Sequence, residues 1–377
     1  MVETTQSAKH ADSASDSAQK PTVLITGVSG NLGLRLVELL PGFKLVAVDI
    51  APPKSSAGFA HFEKIDLAEE RSCNQLLELM RAYRPEAVVH LAFVVDPLRT
   101  GMLDHRQMWH INVAGTGRVI EAIAEYNRML GGIYRFIYPS SVSVYGPNLA
   151  RPVSEDAPLQ AHTLAYALHK READLTVQTR AHTMKCKTYI LRPAIFVGPM
   201  VQNYLMGALR GFPGGKSALA DRMRRRNKRL PLLLPSGGDY LEHKFQFVHV
   251  DDMARLITHI FGRREPDPQL SILNVAGRGD PITLQTCARI ANARIKRLPS
   301  RTVCRLLLRL WWNLGISDVP PDALPYLLGS YTMETARLRV FLGDSYRQVI
   351  RYTCEEALLD MFAVEQHNQH LATAQST

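Results

Sequence analysis

Tyr166 and Lys170 form a Y-x-x-x-K pattern inside a segment, 163–182, whose periodicity predicts a helix. Residues four apart on a helix share a face, so we expect the lysine ammonium to lower the pKa of the phenol from its usual value of about 10. A phenol with a lowered pKa can donate or accept a proton while an alcohol and a ketone interconvert. The pattern alone is common by chance. It is specific here because a serine-rich stretch, 138–146, follows the preceding predicted strand.

Three glycines have the spacing of a nucleotide-binding turn. Gly27, Gly30 and Gly33 follow a short apolar run and precede leucines at helical spacing. A strand, a glycine turn and a helix in this order let backbone N–H groups and the helix dipole bind the pyrophosphate of a dinucleotide. An ordinary turn is the alternative, and the two flanking elements favour the nucleotide site.

Asp49 indicates which dinucleotide would bind. It ends the second predicted strand, 44–49, and lies about 20 residues after Gly27, the usual separation of the acidic residue that binds the adenosine ribose. A carboxylate at this place repels a 2′-phosphate. The sequence therefore predicts NAD as the cofactor in preference to NADP, with a capping Asp in a loop as the alternative.

The elements that position these residues alternate between strand and helix. Further strands are predicted at 61–66, 86–91, 132–138 and 187–191, and helices at 73–83, 104–129 and 163–182. This alternation predicts an α/β fold in which a Rossmann-like, doubly wound parallel sheet is covered by helices on both faces.

The pattern changes after Pro193. Residues 199–235 are rich in Gly, Pro and Arg with little periodicity, and then strands are predicted at 246–250 and 270–276 and helices at 251–261, 284–293 and 302–314. We expect an NAD-binding Rossmann domain at 21–194, with 246–276 returning to it. We expect a smaller, interleaved C-terminal substrate-binding lobe at 195–245 and 277–362. The polar termini, 1–20 and 363–377, are expected to be disordered tails.

Composition restricts the class of protein. Of the 377 residues 46% are hydrophobic and 21% are charged, as in ordinary globular proteins. The sequence has no apolar run of about 18 residues and no secretory signal, and its five cysteines are scattered without a C-x-x-C pair. We therefore expect a cytoplasmic location with reduced thiols and no metal site.

The net charge of +10 comes largely from two clusters, 222–229 and 294–309. Such clusters are usually solvated faces of loops or helices. No nucleic-acid-binding motif accompanies them, so no nucleic-acid partner is expected.

The segment 301–314 allows two interpretations. Six apolar residues share one face at the spacing of a core-facing helix, namely Val303, Leu306, Leu307, Leu310, Trp311 and Leu314. Core packing, with arginine stems lying along the apolar surface, is the first interpretation. Because Arg301, Arg305 and Arg309 accompany tryptophan, peripheral contact with anionic lipid is the second.

Taken in order, the motifs resemble an extended short-chain dehydrogenase/reductase of the NAD-dependent epimerase/dehydratase family. The resemblance covers about 21–280 and continues more weakly to about 362. It rests on Thr26–Gly33, Asp49, Asp66-Leu67, His90-Leu91-Ala92, Asn112–Thr116, Ser140–Gly146, Tyr166 with Lys170, Leu191–Pro193, Gly198-Pro199 and Phe247–Asp252.

The resemblance implies roles for individual residues. Tyr166 would be the acid/base, Lys170 would hold the nicotinamide ribose and lower the phenol pKa, and Ser141 would hydrogen-bond the reacting oxygen. Asn112 is expected to be structural. The implied cofactor contacts, besides Tyr166 and Lys170, are Gly27, Gly30, Asn31, Leu32, Gly33, Asp49, Asp66, Leu67, Leu91, Ala92 and Pro193.

Three departures from the family pattern bear on the substrate. Family dehydratases carry an Asp-Glu pair where this chain has Val142-Ser143, so the groups that eliminate water are missing. Ile195 and Phe245 stand where UDP-galactose 4-epimerase-like enzymes have an Asn and an Arg that meet the nucleotide and its diphosphate. We therefore expect that UDP-sugars are not the preferred substrates.

The function expected is an NAD-dependent oxidoreductase or epimerase that interconverts a secondary alcohol and a ketone on a sugar-like or hydrophobic, sterol- or flavonol-like, small molecule. The alternative is a non-catalytic NAD-binding regulatory or assembly protein on the same fold. Retention of Ser141, Tyr166 and Lys170 together argues against that alternative. The oligomeric state stays open, with a homodimer among the options.

Overall fold

The computed structural model describes residues 20–53, 58–95, 104–263 and 266–363. Apart from residues 20 and 363, both predicted tails lie outside the described residues. The strands are β1 (Thr22–Thr26), β2 (Lys44–Asp49), β3 (His61–Lys64), β4 (Ala87–His90), β5 (Arg135–Pro139), β6 (Lys187–Pro193), β7 (Ile195–Val197), β8 (Leu232–Pro235), β9 (Lys244–Phe245), β10 (Phe247–His249), β11 (Leu270–Val275), β12 (Ile282–Thr283) and β13 (Ile295–Leu298).

The α-helices lie between and after these strands. They are α1 (Asn31–Leu39), α2 (Ser72–Tyr83), α3 (His105–Trp109), α4 (Gly115–Met129), α5 (Ala165–Arg180), α6 (Tyr204–Arg210), α7 (Ala218–Arg225), α8 (Val250–Gly262), α9 (Leu284–Ile290), α10 (Arg301–Asn313), α11 (Leu324–Leu328), α12 (Ala336–Leu342) and α13 (Tyr346–Val349), followed by helical residues 354–363. Within the described residues, no helix combines the length and the apolar character that a bilayer span requires.

Seven strands form one sheet in the order β11-β6-β5-β4-β1-β2-β3, and every neighbouring pair is parallel. This order confirms the predicted Rossmann-like, doubly wound sheet. Successive side chains of a strand point to opposite faces, so Val23 and Ile25 of β1 enter one buried cluster while Leu24 enters another. The order reverses between β1 and β4, and ligands of such sheets bind at the carboxyl ends of the strands beside that point.

The C-terminal half contributes to this sheet and also builds small sheets of its own. β11 pairs with β6 at the edge of the main sheet, and α8 packs against α1. β10 instead pairs with β7, β12 with β9 and β13 with β8. The buried cluster that begins under β1 continues without a break through residues of these later elements.

The segment 199–235 is more regular than its sequence indicates. It contains α6, α7 and β8. Each short helix begins at a side-chain cap, because Asn203 accepts the N–H of Met206 at 3.0 Å and Ser217 accepts that of Ala220 at 3.2 Å. Such caps stabilise helices that are too brief to show a clear period.

The prediction for the segment 301–314 is wrong for most of the residues assigned to its core-facing side, because these residues are exposed. Cys304 and Leu308 are the buried residues of α10, and Leu307 and Trp311 are partly buried against the core. The other predicted members, Val303, Leu306, Leu310 and Leu314, are exposed. The apolar residues cover more than half of the circumference of this helix, so periodicity alone cannot tell which side meets the core.

A buried ion pair joins α5 to β6. Arg192 is 1% exposed and Asp174 is 0% exposed, and both distances, Nε–Oδ2 and Nη2–Oδ1, are 2.9 Å. Ser140, at the end of β5, donates to the same carboxylate at 2.5 Å. Arg192 also donates to the Tyr145 hydroxyl and to the carbonyl oxygen of Glu155, each at 2.8 Å. Because each charged group meets several partners, the pair can remain ionised in the interior.

We expect Asp174→Ala to lower the free energy of unfolding by about 3–5 kcal/mol, because it leaves a buried guanidinium without its counter-charge. Urea denaturation of the purified protein measures this. Glu125→Ala, which removes an exposed partner of Arg128, is the matched control and should change stability little. The double variant Asp174→Leu/Arg192→Met should recover part of the loss. An equal effect of Asp174→Ala and Glu125→Ala would show that the buried pair does not anchor α5.

Candidate active site

The glycine turn between β1 and α1 has the shape that a pyrophosphate site requires. Gly27 has φ +73°, and a Cβ there would lie 2.4 Å from the Ala92 nitrogen. A Cβ on Gly33 would lie 2.4 Å from the Val28 carbonyl oxygen. Packing inside the protein therefore requires the first and third glycines. A Cβ on Gly30 would meet only the Gly27 oxygen, at 3.4 Å, so this glycine instead keeps the turn open to a ligand.

The start of α1 can receive a phosphate. No side chain caps the N-terminus of this helix, so its first-turn N–H groups and its dipole remain for an anion. Asn31 donates through its side chain to the Met200 carbonyl oxygen at 2.7 Å, which links the turn to the C-terminal half. Asn31 and Leu32 both line a cavity that reaches from this turn toward the C-terminal half.

Asp49 lies at the carboxyl end of β2, beside the glycine turn. Its two oxygens accept the backbone N–H groups of Ser29 at 2.9 Å and Ile50 at 2.7 Å. These bonds hold a negative charge at the strand end from which dinucleotide folds bind ribose hydroxyls. A 2′-phosphate would meet electrostatic repulsion there.

The other predicted cofactor residues follow the carboxyl ends of neighbouring strands. Asp66 accepts the N–H of Ala68 at 2.9 Å. Leu67 buries its side chain in the core, so only its main chain is left for a ligand. Leu91 continues the β1–β4 pairing through its N–H, and Ala92 lies against Gly27. The residues present thus fit a dinucleotide along this edge.

A cavity of about 280 Å³ joins this edge to the predicted catalytic groups. Ser141, Tyr166 and Pro193 line it together with Asn31 and Leu32. Apolar side chains from the C-terminal half form most of the opposite wall, and they are Ile195, Phe196, Val201, Leu205, Val250 and Leu327. The structure therefore brings the two predicted hydroxyl groups and the cofactor turn to one space.

Ser141 is held with its hydroxyl toward the cavity. It caps the short 3₁₀ turn Val142–Tyr145, and its oxygen accepts the N–H of Ser143 at 3.1 Å and the Ser143 hydroxyl at 2.9 Å. With its oxygen so engaged, the serine proton is left to donate. A hydrogen bond from Ser141 acts on Tyr166 and lowers the pKa of its phenol.

The pKa of Tyr166 is raised in the structure, whereas the sequence predicts that it is lowered. Burial raises this pKa, and the bond from Ser141 offsets only part of the rise. The Lys170 ammonium is not among the causes that act on the phenol, contrary to the expectation that it lowers the phenol pKa. The reason is visible in the surroundings of the lysine.

Lys170 is buried under an aromatic ring. Its Nζ donates to the Pro139 carbonyl oxygen at 2.8 Å and lies 3.8 Å from the ring centroid of Phe93. Phe93 in turn meets the Tyr166 ring edge-on at 5.8 Å. Burial lowers the pKa of Lys170 to about 7, and the charge of Asp174 opposes that shift. A lysine with so low a pKa carries less positive charge near pH 7 than an exposed lysine does, so it favours ionisation of the phenol less.

Three residues of this site have no counterpart among the sequence predictions. Asp174 continues the Tyr166–Lys170 face of α5 by one more turn, a spacing that could have identified it. Phe93 contacts both Lys170 and Tyr166. Tyr331 lines the cavity, is 3% exposed and has no hydrogen-bond partner for its hydroxyl among the described residues. Phe93 directly follows the predicted cofactor residue Ala92, a position that could have identified it. Nothing local in the sequence marks Tyr331, because a distant segment brings it here.

Asn112 holds the main chain beside the site. It lies in a π-helical turn, His110–Ala114, and its side-chain amide accepts the N–H of Val94 at 2.7 Å and donates to the Val94 carbonyl oxygen at 3.1 Å. The neighbouring Val95 lines the cavity. These contacts give Asn112 a positioning role in the structure.

The two substituted substrate positions differ in location. Ile195 lines the cavity. Phe245 is fully buried and packs on Tyr331, with ring centroids 6.0 Å apart, and it does not line the cavity. The expectation that Phe245 stands at a substrate contact is thus corrected, because the side chain of this β9 residue belongs to the core.

Comparison with known proteins shows which family the chain matches. The profile of the NAD dependent epimerase/dehydratase family matches residues 23–276. A UDP-glucose 4-epimerase from Drosophila melanogaster is 27% identical over 168 residues, which are 40% of this chain and 45% of that protein. A UDP-glucose 4-epimerase from Mycolicibacterium smegmatis is 30% identical over 190 residues, 47% of this chain and 56% of that protein. The chain spans about half the length of these relatives.

A solved structure shares the fold over nearly the whole chain. The UDP-glucose 4-epimerase of Thermus thermophilus, in complex with NAD, superimposes with a TM-score of 0.62 at 18% identity, covering 91% of this chain and 98% of that one. At this level of identity the similarity establishes the architecture.

We expect Lys170→Met to abolish a pH-dependent part of the stability of the NAD-free protein. The pKa of Lys170 is lowered from 10.5 to about 7, so between these values the unfolded chain binds more protons than the folded one. Wild-type stability should therefore rise with pH in this window, relative to the variant, by up to about 1.4 kcal/mol per pH unit. At pH 7 the variant should be at least as stable as wild type. Denaturant titrations at several pH values measure the difference, and a constant difference would contradict the burial of a titrating ammonium.

Proposed function

The chain belongs to the NAD-dependent epimerase/dehydratase family, and we propose that it is an oxidoreductase or epimerase that interconverts a secondary alcohol and a ketone. Membership of this family confirms the predicted NAD cofactor. The observation that carries the proposal is the cavity of about 280 Å³, since Ser141, Tyr166 and the first residues of α1 line it together. A substrate in this space would meet a proton donor, a hydrogen-bond donor and the cofactor turn at once.

Tyr166 and Ser141 have different roles at the substrate oxygen. Bound NAD would supply the acceptor for the hydride of the alcohol carbon and, once reduced, the hydride for the reverse reaction. Tyr166 accepts the hydroxyl proton as the ketone forms and gives it back in the reverse direction. Ser141 donates a hydrogen bond to the same oxygen. Burial raises the pKa of Tyr166, so the proton transfer depends on Lys170 being charged when substrate and cofactor are in place.

Elimination of water is disfavoured as the reaction. Among the described residues that line the cavity none is Asp or Glu, and Val142 and Ser143 occupy the wall where dehydratases carry their acid pair. This supports simple oxidation, reduction or epimerisation over dehydration.

The substrate class has two candidates. The apolar wall around Ile195 and Phe196 supports a hydrophobic or weakly polar alcohol. A second cavity of about 320 Å³ supports a phosphate-bearing substrate such as a nucleotide sugar. It shares Gln202 and Asn203 with the first and is lined by the exposed Lys228 and Arg229. The names of the relatives, UDP-glucose 4-epimerases, favour this second candidate.

The alternative, a non-catalytic NAD-binding protein, predicts no turnover of any substrate. Such a protein needs the glycine turn and Asp49 but gains nothing from Ser141 and Tyr166 at one cavity. Their arrangement therefore supports the enzyme.

We expect Tyr166→Phe to retain NAD binding, measured by calorimetry, while turnover falls about 10²–10⁴-fold, because only the acid/base group is removed. The assay follows cofactor oxidation and reduction against secondary alcohols, ketones, hydroxysteroids and UDP-sugars. Tyr331→Phe is the matched control, since it removes a buried hydroxyl from a residue that lines the same cavity without removing the acid/base. It should change KM for the substrate more than kcat.

The same panel separates the two substrate classes. A phosphate-bearing substrate is indicated if wild type turns over UDP-glucose and Lys228→Ala/Arg229→Ala lowers that turnover. The turnover of an uncharged alcohol should then be the same in wild type and variant. Near-normal turnover by Tyr166→Phe would refute the role of Tyr166 as the acid/base. If wild type turns over no member of the panel, the non-catalytic alternative is favoured.

A further inference from the structure

The helix α10 presents an apolar row that no part of the described fold covers. Val303, Leu306, Leu310 and Leu314 are 37%, 59%, 52% and 49% exposed. Steps of three, four and four residues align them along one side of the helix. Single exposed apolar side chains are ordinary, whereas a continuous row is typical of a surface that meets a partner or a membrane.

The surroundings of this row are uniformly basic. Between Asp280 and Asp318 the sequence contains no Asp or Glu. Every cationic side chain in that interval is exposed, and they are Arg289, Arg294, Lys296, Arg297, Arg301, Arg305 and Arg309. One of them, Arg305, pairs with Asp322 at 2.7 Å, and that pair is itself largely exposed. The charge of this interval is thus left mostly uncompensated.

The cations lie beside the apolar row. Arg301, Arg305 and Arg309 recur every four residues, so they form a second row along α10 next to the first. β13 packs against the same helix and exposes Ile295 (40%) together with Lys296 and Arg297. We call this surface the α10 patch, comprising the apolar row, the arginine row and the exposed residues of β13.

A second copy of the chain fits this surface poorly. A two-fold contact buries the same surface of both copies in one interface, so it would bring two copies of the basic α10 patch together. Like charges at such short range oppose association. A partner of opposite charge that also accepts leucine side chains satisfies both rows, and an anionic lipid surface has these two properties.

We propose that the α10 patch docks the protein peripherally on anionic lipid bilayers. The leucines enter the boundary between headgroups and acyl chains, and the arginines and Lys296 contact lipid phosphates and carboxylates. The inner side of the same helix packs on the C-terminal half through Cys304 and Leu308, so docking requires no change of fold. This role is independent of the proposed reaction.

Co-sedimentation of the full chain with vesicles tests the proposal. We expect binding to phosphatidylcholine vesicles that contain phosphatidylserine, release by salt, and little binding to phosphatidylcholine alone. Leu306→Ser/Leu310→Ser should weaken binding about tenfold or more. The matched control is Val340→Ser on α12, which is 84% exposed outside the patch and should bind as wild type does.

A charge control separates the patch from the net charge. Arg297→Gln/Arg309→Gln should reduce binding about fivefold for each removed cation. Arg222→Gln/Arg225→Gln, which lowers net charge equally on the exposed face of α7, should leave binding unchanged. NAD binding by all variants, measured by calorimetry, verifies that they fold.

Three results would overturn the proposal. The first is that wild type binds neither kind of vesicle. The second is that the patch variants and their control variants lose vesicle binding equally. The third is that Leu306→Ser/Leu310→Ser binds vesicles as wild type does. Concentration-dependent self-association in analytical ultracentrifugation that disappears in the same leucine variant would identify a second copy as the occupant instead.

Discussion

The ion pair between Arg192 and Asp174 is the constraint on which the active site depends. Both groups are withdrawn from water, and a buried charge is tolerable only when its partners are fixed. Asp174 therefore sets the position and rotation of α5, and with them the places of Tyr166 and Lys170 on the same helical face. The Ser140 hydroxyl bonds to the same carboxylate, which fixes the end of β5 and the adjacent Ser141. All three predicted catalytic residues are thus placed relative to one carboxylate.

The same burial shifts the pKa values of Lys170 and Tyr166. Lys170 lies in a space where its ammonium has one carbonyl oxygen and aromatic rings as neighbours, so its pKa falls, while the pKa of Tyr166 rises. Each shift moves its group toward the neutral form. A ligand that supplies hydrogen-bond partners to Lys170 would favour the ammonium, and the charged lysine would then favour proton release by the phenol. Under the proposed function, Lys170 would couple cofactor binding to the acid/base step.

Local signals in the sequence were sufficient for the sheet and for the cofactor turn. Buried strands with a glycine turn between them leave few alternatives, and β2 has the predicted bounds of 44–49. Residues brought in from distant segments could not be predicted, as Tyr331 shows. The prediction of which side of α10 meets the core was wrong for another reason. Its apolar residues form two adjacent sides, one on the core and one in solvent, and a helical period does not distinguish them.

The central claim is that the cavity beside the glycine turn carries out hydride chemistry. Single-turnover fluorescence of protein-bound nicotinamide tests it most directly, because a dehydrogenase and an epimerase both reduce the bound cofactor during the first half of their reaction. NAD-loaded wild-type protein is mixed with secondary alcohols, hydroxysteroids and UDP-sugars in turn. We expect at least one class to produce reduced nicotinamide on the protein within a single turnover. Full NAD occupancy without reduction by any class would contradict it.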